Sequence, residues 1–228
     1  MSFANTKLHA IVPASGGATR MRGLPKFLLP CDQEYTTLLE RHVEHLLEFC
    51  SVIWIPTRPD LVQMLESLNF PPGRVVIVAL KTKSMAETIR QVVEISSSEK
   101  FLMVMPDTYF LGAQPYEYLS SASHSMNLAL WEIRDEQRGK LGQVEVDQMS
   151  NLATAAEDKN LLCPYKYAWG AMSFNREVIS RSLDSMSSIG DVIPKLIEDG
   201  IEIHTAVFQG KYFDCGTPKE YVSLLSTI

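Results

Sequence analysis

Hydrophobic residues follow two different spacings along the first half of the chain. Short apolar runs rich in β-branched side chains are typical of buried strands. The segments with this pattern are residues 8–12, 51–57, 74–80 and 101–105. Between them, apolar residues recur every three or four positions, as on one face of a helix. The segments with helical spacing are residues 36–50, 59–68 and 84–96. This alternation predicts a mostly parallel sheet covered by helices on both faces.

The second half of the chain has a more mixed pattern. Its predicted strands are residues 126–134, 141–146, 167–174, 201–208 and the short pair 212–213. Its predicted helices are residues 176–186, 191–198 and 217–226. A chain of 228 residues can bury roughly 70–75% of its extended surface in one core. We therefore expect a single domain over residues 1–228, made of halves at 1–125 and 126–228.

Composition and charge narrow the range of functions. Hydrophobic residues make up 46% of the chain and charged residues 21%, which is ordinary for a globular protein. No apolar run approaches the ~20 residues that cross a bilayer, and the first residues lack the core of a signal peptide, so we expect a cytoplasmic protein without a membrane partner. The net charge of −6 argues against general binding of nucleic acid. Four scattered cysteines, Cys31, Cys50, Cys163 and Cys215, indicate reduced thiols rather than a disulfide framework or a zinc site.

The first strand leads directly into a loop of small residues. Ala14-Ser15-Gly16-Gly17-Ala18 would let backbone N–H groups approach an anion closely, and Arg20, Arg22 and Lys26 follow at once. Concentrated positive charge in a chain of net charge −6 indicates a site for phosphate. A tight turn beside a solvated cationic face is the alternative. We interpret the loop as the triphosphate cradle of a nucleotide-using enzyme.

An aspartate is expected opposite that loop. In the common strand order 3-2-1-4 the fourth strand lies beside the first, and ligands bind beyond the carboxyl ends of the strands. Asp107 follows the fourth strand and would therefore face Gly16 across a gap wide enough for a nucleotide. Such an aspartate is often a turn or capping residue, but its place beside a phosphate loop favours a magnesium ligand.

Several segments resemble motifs of the sugar-1-phosphate nucleotidylyltransferases, which include the glucose-1-phosphate thymidylyltransferases. Residues 14–21 and 25–30 are similar to the N-terminal motif AAGxGTRLxPLTxxxPKxLLP, and residues 210–221 are similar to GxWxDxGTPEDY. The shorter matches are MPDTYF to GDNxF, LGQVEVD to YGVVxFD, residues 157–160 to EEKP, and YAWGAMSF to AGIYxF. Ala18 replaces a glycine of the family pattern and Asn160 replaces a proline. The short insert between Arg20 and Lys26 is closer to the cytidylyl- and molybdopterin-type relatives of the fold.

The resemblance implies a fold, a reaction and a set of site residues. The fold would be a Rossmann-like, three-layer α/β/α nucleotidyltransferase fold with a mostly parallel central mixed sheet. Residues 1–125 would bind an NTP and residues 126–228 a sugar phosphate. The reaction would be Mg²⁺-dependent transfer of a nucleotidyl group from the NTP to a sugar 1-phosphate, with release of pyrophosphate. Arg20, Lys26 and Asp107 would be catalytic.

The remaining site residues are implied by the same matches. The residues expected to bind the NTP are Ala14, Ser15, Gly16, Gly17, Ala18, Thr19, Arg20 and Lys26. Those expected to bind the sugar phosphate are Gly142, Glu157, Lys159 and Gly170. Asp107 and Asp214 would hold the metal. Lys159 would contact the phosphate and Glu157 a sugar hydroxyl.

Two other functions stay open at this point. The short insert after Arg20 would suit a cytidylyltransferase acting on a small alcohol phosphate. Ala18, Asn160 and an altered base-reading loop at residues 81–84 would suit a catalytically silent nucleotide-binding regulator. The sequence predicts neither the base nor the sugar, and it leaves the oligomeric state open, with a homo-oligomer among the expected states. His42 and His45 lie three residues apart, and we expect them on a solvated helix face rather than at a metal.

Overall fold

The computed structural model describes residues 8–16, 21–182 and 188–228. The strands of this part are β1 His9–Ile11, β2 Val52–Thr57, β3 Val75–Ala79, β4 Lys100–Val104, β5 Thr108–Gly112, β6 Met126–Glu132, β7 Gly142–Asp147, β8 Leu152–Asp158, β9 Tyr167–Asn175, β10 His204–Val207 and β11 Gly210–Asp214. The helices are α1 Leu38–Phe49, α2 Val62–Glu66, α3 Met85–Ile95, α4 Tyr116–Ser121, α5 Arg176–Ser182, α6 Ile189–Glu198 and α7 Pro218–Leu225.

One large mixed sheet forms the centre of the molecule. Its nine strands lie in the order β3-β2-β1-β4-β9-β6-β10-β8-β7. The first four strands are parallel, and β9 runs antiparallel to β4 and β6, and also pairs antiparallel with β7 at one end. Strand β10 is parallel to β6, and β8 is antiparallel to both β10 and β7. Most strands of this sheet therefore run in one direction, with β8 and β9 reversed, which confirms the predicted mixed and mostly parallel sheet.

Helices cover both faces of this sheet. One face packs against α1 through Leu39, Val43 and Leu46, which are almost completely buried. The other face packs against α3 and α6, whose core side chains include Ile89 and Val192. The spacing of apolar residues predicts these buried helix faces, because residues three and four apart lie on the same face of a helix. The three-layer α/β/α architecture is confirmed.

The order of the strands determines which segments meet at the candidate site. Strand β1 lies between β2 and β4, with His9 opposite Phe101 and Ile11 opposite Met103. The predicted order 3-2-1-4 is therefore confirmed. Because parallel strands end at the same edge, the segment after β1 and the segment after β4 lie side by side there.

Three elements were not predicted as such. Strand β8 has the sequence LATAAED, whose alanines and acids have low strand propensity, yet it pairs with β7 along its length. Strand β5 and helix α4 are short, and β5 forms a separate two-stranded sheet with β11. Strand β8 is stabilised by its hairpin partner β7, β5 by the distant strand β11, and α4 by packing in the core. The predicted helix 176–186 is observed to residue 182, and its remaining residues lie outside the described part.

Two expectations from composition can be compared with the described residues. No helix there is both long and apolar enough to span a bilayer. All four cysteines are buried free thiols. Burial raises the pKa of Cys31 to about 11 and of Cys50 to about 12, so these thiols stay protonated at neutral pH.

Candidate active site

Two adjoining cavities lie beyond the carboxyl ends of β1 and β4. The large cavity has a volume of about 780 Å³ and is lined by the loop after β1, residues 58–60, residues 80–85 and the segment after β4. The small cavity has a volume of about 190 Å³ and extends towards β7, β8 and β9. Lys26, Met85, Met105 and Asp107 line both cavities. This arrangement suits two ligands whose reacting groups meet at a shared wall.

The loop after β1 forms one wall of the large cavity. Its start is tied to the end of β2, because the Ala14 N–H donates to the carbonyl of Pro56 over 2.9 Å and the Thr57 hydroxyl donates to the carbonyl of Ala14. Ser15 and Gly16 then line the cavity. The rest of the predicted cradle, Gly17, Ala18, Thr19 and Arg20, lies outside the described residues.

A network of hydroxyl groups connects this loop to the opposite wall. The fully buried Thr88 of α3 donates to the carbonyl of Ser84, and its oxygen lies 2.6 Å from the hydroxyl of Thr82. The Ser15 hydroxyl lies 3.5 Å from the same oxygen. The segment before α3 is thereby connected to the loop after β1. Lys81, Lys83 and Arg58 line this end of the cavity and give it positive charge.

An ion pair occupies the wall that the two cavities share. The Nζ of Lys26 pairs with Oδ2 of Asp107, and the two side chains are only 19% and 12% exposed. Lys26 begins a single 3-10 turn after Pro25, and Asp107 follows β4. The structure thus brings together two residues that sequence reasoning placed at the phosphates.

Asp214 lies next to Asp107 across the small sheet. Asp214 pairs with Thr108 between β11 and β5, and the N–H of Cys215 donates to the carbonyl of Asp107 over 2.9 Å. Both aspartates line the small cavity. No group of three acidic, histidine or cysteine side chains suited to a metal occurs in the described residues. Two carboxylates fit Mg²⁺, which commonly takes one or two protein carboxylates and completes its shell with substrate phosphates and water.

Some of the residues predicted to bind the sugar phosphate line the small cavity, and others do not. Gly142 and Lys159 line it, whereas Glu157 and Gly170 do not. Glu157 is exposed on β8, and successive strand residues point to opposite faces, so the acid on the cavity wall is Asp158 instead of the predicted Glu157. An added Cβ at the buried Gly170 would lie 2.8 Å from Trp131 and 2.9 Å from Tyr212, so this glycine serves packing.

A buried histidine supports the backbone beside Asp107. His42 is 2% exposed, which corrects the expectation of a solvated position. Its Nε2 donates to the carbonyl of Thr108 over 2.9 Å, so Nδ1 accepts from the hydroxyl of Tyr116 over 2.7 Å. Burial lowers the pKa of His42 to about 4, and the ring is neutral. The sequence could have indicated this burial, because His42 lies one helical turn after Leu38 and one turn before Leu46, on the apolar face.

Comparison with known families agrees with this geometry. The family model for a MobA-like NTP transferase domain matches residues 10–172, from β1 into β9. The chain belongs to the MobA-like NTP transferase family. It is therefore a nucleotidyltransferase, and the matched residues include Lys26, Asp107, Gly142 and Lys159. Asp214 lies beyond the matched region.

Solved structures share the fold over nearly the whole chain. A Bacillus anthracis protein assigned as a glucose-1-phosphate thymidylyltransferase, in complex with sucrose, has a TM-score of 0.80 at 16% identity, covering 96% of this chain and 94% of that one. A UDP-glucose pyrophosphorylase bound to UDP-glucose has a TM-score of 0.80 at 17% identity, covering 97% and 98%. The inositol-1-phosphate CTP transferase of T. maritima has a TM-score of 0.78 at 19% identity, covering 98% and 97%. No curated protein sequence matches significantly.

Proposed function

We propose that this MobA-like NTP transferase moves a nucleotidyl group from an NTP to a sugar 1-phosphate, producing an NDP-sugar and pyrophosphate. The observation that carries the proposal is the pair of cavities that meet at Lys26 and Asp107. The large cavity, about 780 Å³, is of a size suited to an NTP, and the small one, about 190 Å³, to a compact phosphomonoester.

The reaction needs alignment and charge neutralisation more than acid or base groups. An oxygen of the sugar phosphate attacks the α-phosphorus of the NTP, and the bond from the α-phosphorus to the bridging oxygen breaks. The electron pair leaves with pyrophosphate, and no proton transfer is needed because the attacking phosphate is already ionised. Lys26, at the shared wall, is placed to hold an oxygen of the α-phosphate or of the incoming phosphate. Arg20 is our candidate for the charge opposite the departing pyrophosphate.

Asp107 and Asp214 would hold Mg²⁺, in keeping with their neighbouring backbone positions and shared cavity. When bound there, the ion would neutralise charge on the phosphate oxygens. Lys26 already balances Asp107 in the ion pair, so the phosphates and the carboxylate compete for the same ammonium group. Lys159 of the small cavity would contact the phosphate of the acceptor.

The structural neighbours support this choice of reaction. Two of them are named for glucose 1-phosphate or UDP-glucose, and the third for inositol 1-phosphate and CTP. A small alcohol phosphate is the competing acceptor, and the volume of the small cavity, about 190 Å³, suits both of these compact acceptors better than bulky ones.

A pyrophosphate-release screen tests the proposal. Five NTPs are combined with a panel of sugar 1-phosphates, inositol 1-phosphate and linear alcohol phosphates, with Mg²⁺ present, and products are identified by mass spectrometry. We expect turnover with at least one sugar 1-phosphate and loss of that turnover in Asp107→Asn. Turnover confined to linear alcohol phosphates would overturn the assignment of the acceptor. Tight NTP binding without turnover of any pair would instead identify a regulator.

A further inference from the structure

Asp214 lies on a strand outside the central sheet. In the part of the chain that the structure describes, β11 pairs with β5 and with no other strand. A pair of strands is marginally stable by itself, and its outer edges leave backbone groups without a partner. Mg²⁺ requires near-octahedral oxygens at about 2.1 Å. A carboxylate on such a strand therefore needs support from other parts of the molecule if it is to hold this ion.

Two side chains from the turn between β6 and β7 bind the backbone of β11. The Nε2 of Gln137 donates to the carbonyl of Tyr212 over 2.8 Å, and Nη1 of Arg134 donates to the same carbonyl over 3.3 Å. Gln137 is only 4% exposed, and its Oε1 accepts from the backbone N–H of Arg134 over 3.0 Å. Tyr212 lies two residues before Asp214, so both side chains hold the strand close to that aspartate.

Arg134 also contacts β11 on the face that points away from the site. Tyr212 and Asp214 both line the small cavity, as expected for residues two apart on a strand. The side chain of Phe213 between them is buried, and the guanidinium of Arg134 lies over its ring, 4.8 Å from the ring centre. The strand is therefore held both at its edge and on the side opposite the cavity.

The same turn binds the helix that follows Asp214. The Nζ of Lys140 donates to Oε1 of Glu220 over 2.8 Å. Glu220 lies in the first turn of α7, where its carboxylate and its backbone N–H both bond to the hydroxyl of Thr217. Two residues separate Asp214 from Thr217. Residues 134–140 thus support the chain on both sides of the aspartate.

We propose that Gln137 is a positioning residue for Asp214, assisted by Arg134, and that it sets the affinity of the site for Mg²⁺. Gln137 lines neither cavity, so it acts through the backbone of β11. Residues that fix the orientation of a metal ligand typically change metal affinity about 10–100-fold. This inference rests on the proposed function, in which Asp107 and Asp214 hold the ion, and it adds how the second carboxylate is kept in place.

The metal dependence of Gln137→Met tests the inference. Methionine has a similar length but no donor, and Arg134 still bonds to the carbonyl, so the fold should be kept. We expect the Mg²⁺ concentration for half-maximal activity to rise about 10-fold or more, with kcat restored by excess Mg²⁺ and both substrate KM values unchanged there. Binding of Mn²⁺ alone, measured without turnover from the electron paramagnetic resonance signal of the free ion, should weaken by a similar factor.

Gln114→Met is the matched control. The Nε2 of Gln114 donates to the carbonyls of Phe110 and Gly112, so this glutamine supports β5 at the far end of the same two-stranded sheet. Any loss of stability in this variant, followed by thermal melts, should leave Mn²⁺ binding as in the wild type. A Gln137→Met protein that binds Mn²⁺ like the wild type, or whose kcat is not restored by excess Mg²⁺, would overturn this inference alone.

Two further variants complete the experiment. Arg134→Met keeps the bond from Gln137 to the carbonyl, so it should weaken Mn²⁺ binding less than Gln137→Met does. If Gln137→Met does not fold, unchanged Mn²⁺ binding in Arg134→Met would overturn the inference. Asp214→Asn should bind Mn²⁺ more weakly than either. Equal Mn²⁺ binding by Asp214→Asn and the wild type would instead overturn the metal site of the proposed function.

Discussion

The Lys26 side chain has two potential anionic partners in the site. In the structure it pairs with Asp107 and is largely withdrawn from solvent. A phosphate oxygen at the shared wall would offer it more negative charge than one carboxylate. Because the side chain already lies at that wall, little reorganisation is needed when substrate binds, which is the condition for effective electrostatic stabilisation.

We expect Lys26→Ala to lower kcat by on the order of 10²-fold while the fold is kept, as for other removed electrostatic stabilisers. Steady-state kinetics with the preferred substrate pair, together with a thermal melt, measure both effects. Lys211→Ala on β11 is the control, because Lys211 is exposed and outside both cavities. An unchanged kcat would exclude the proposed role of Lys26.

Lys159→Ala should act on the acceptor rather than on the nucleotide. Lys159 lines the small cavity and not the large one, so its loss should raise the acceptor KM about 10-fold or more, in line with a lost charged hydrogen bond, with little change for the NTP. Lys166→Ala provides the comparison, since Lys166 is exposed and lines neither cavity. Equal effects on both substrates would make Lys159 an ordinary surface lysine.

Helix α1 acts on the site through one buried side chain. His42 reaches from α1 to the carbonyl of Thr108, the first residue of β5, which directly follows Asp107 and pairs with Asp214. The Tyr116 hydroxyl of α4 fixes the other ring nitrogen, and burial raises its pKa, so it remains a donor. Three elements are thereby connected to the backbone that carries the two aspartates.

This contact makes stability depend on pH. The folded-state pKa of His42 is about 4, below its ordinary 6.5, so the unfolded chain takes up the proton first as the pH falls. The contribution of neutral His42 to the free energy of unfolding is complete above pH 6.5. It is lost as the pH falls from 6.5 to 4, and the loss is about 3 kcal/mol at most. Urea unfolding across this range should show the loss in the wild type and a flatter profile in His42→Gln.

His45→Gln separates this effect from that of histidines in general. His45 lies on the same helix, is only half-buried and stacks on Tyr116, so most of the pH dependence should remain in this variant. If His42→Gln and the wild type lose stability equally between pH 6.5 and 4, other groups cause the acid sensitivity.

At the scale of the whole molecule, the site brings together residues that are far apart in the sequence. Asp107 follows the fourth strand of the sheet, whereas Asp214 ends the last strand, β11, and the two meet because β11 pairs with β5. The same arrangement puts the large cavity on the first half of the chain, while β7, β8 and β9 line the small one. Ligands at the shared wall should therefore stabilise the molecule as a whole.

NTP with Mg²⁺ should raise the melting temperature by roughly 5–10 °C at about 100 times the dissociation constant, where binding contributes about 2.7 kcal/mol. EDTA should remove the metal-dependent part of this increase in melting temperature. Asp107→Asn or Asp214→Asn should have the same effect, while the apo protein stays folded. Differential scanning fluorimetry measures each case, with the fully exposed Asp135→Asn as control. A normal metal-dependent shift in both variants would show that the ion is held elsewhere.

The sequence by itself determined the layers, the order of the first four strands and the position of Asp107 beside the loop after β1. These features depend on local information. Apolar spacing along helices such as α1 and the apolar runs of β1 and β4 decide which faces are buried, and parallel connections restrict the strand order. The ion pair between Lys26 and Asp107 joins two residues that motif spacing had already placed at the phosphates.

Only the tertiary structure decided which residues face the small cavity. Strand β8 has weak intrinsic propensity and exists through its pairing with β7, and its register puts Asp158 rather than Glu157 on the cavity wall. The bulge between β6 and β9 likewise directs Trp169 to the ligand side. A shift of one residue reverses the face of every strand side chain, and that register is set by the paired strands, β7 in the adjoining hairpin for β8 and the more distant β6 for β9.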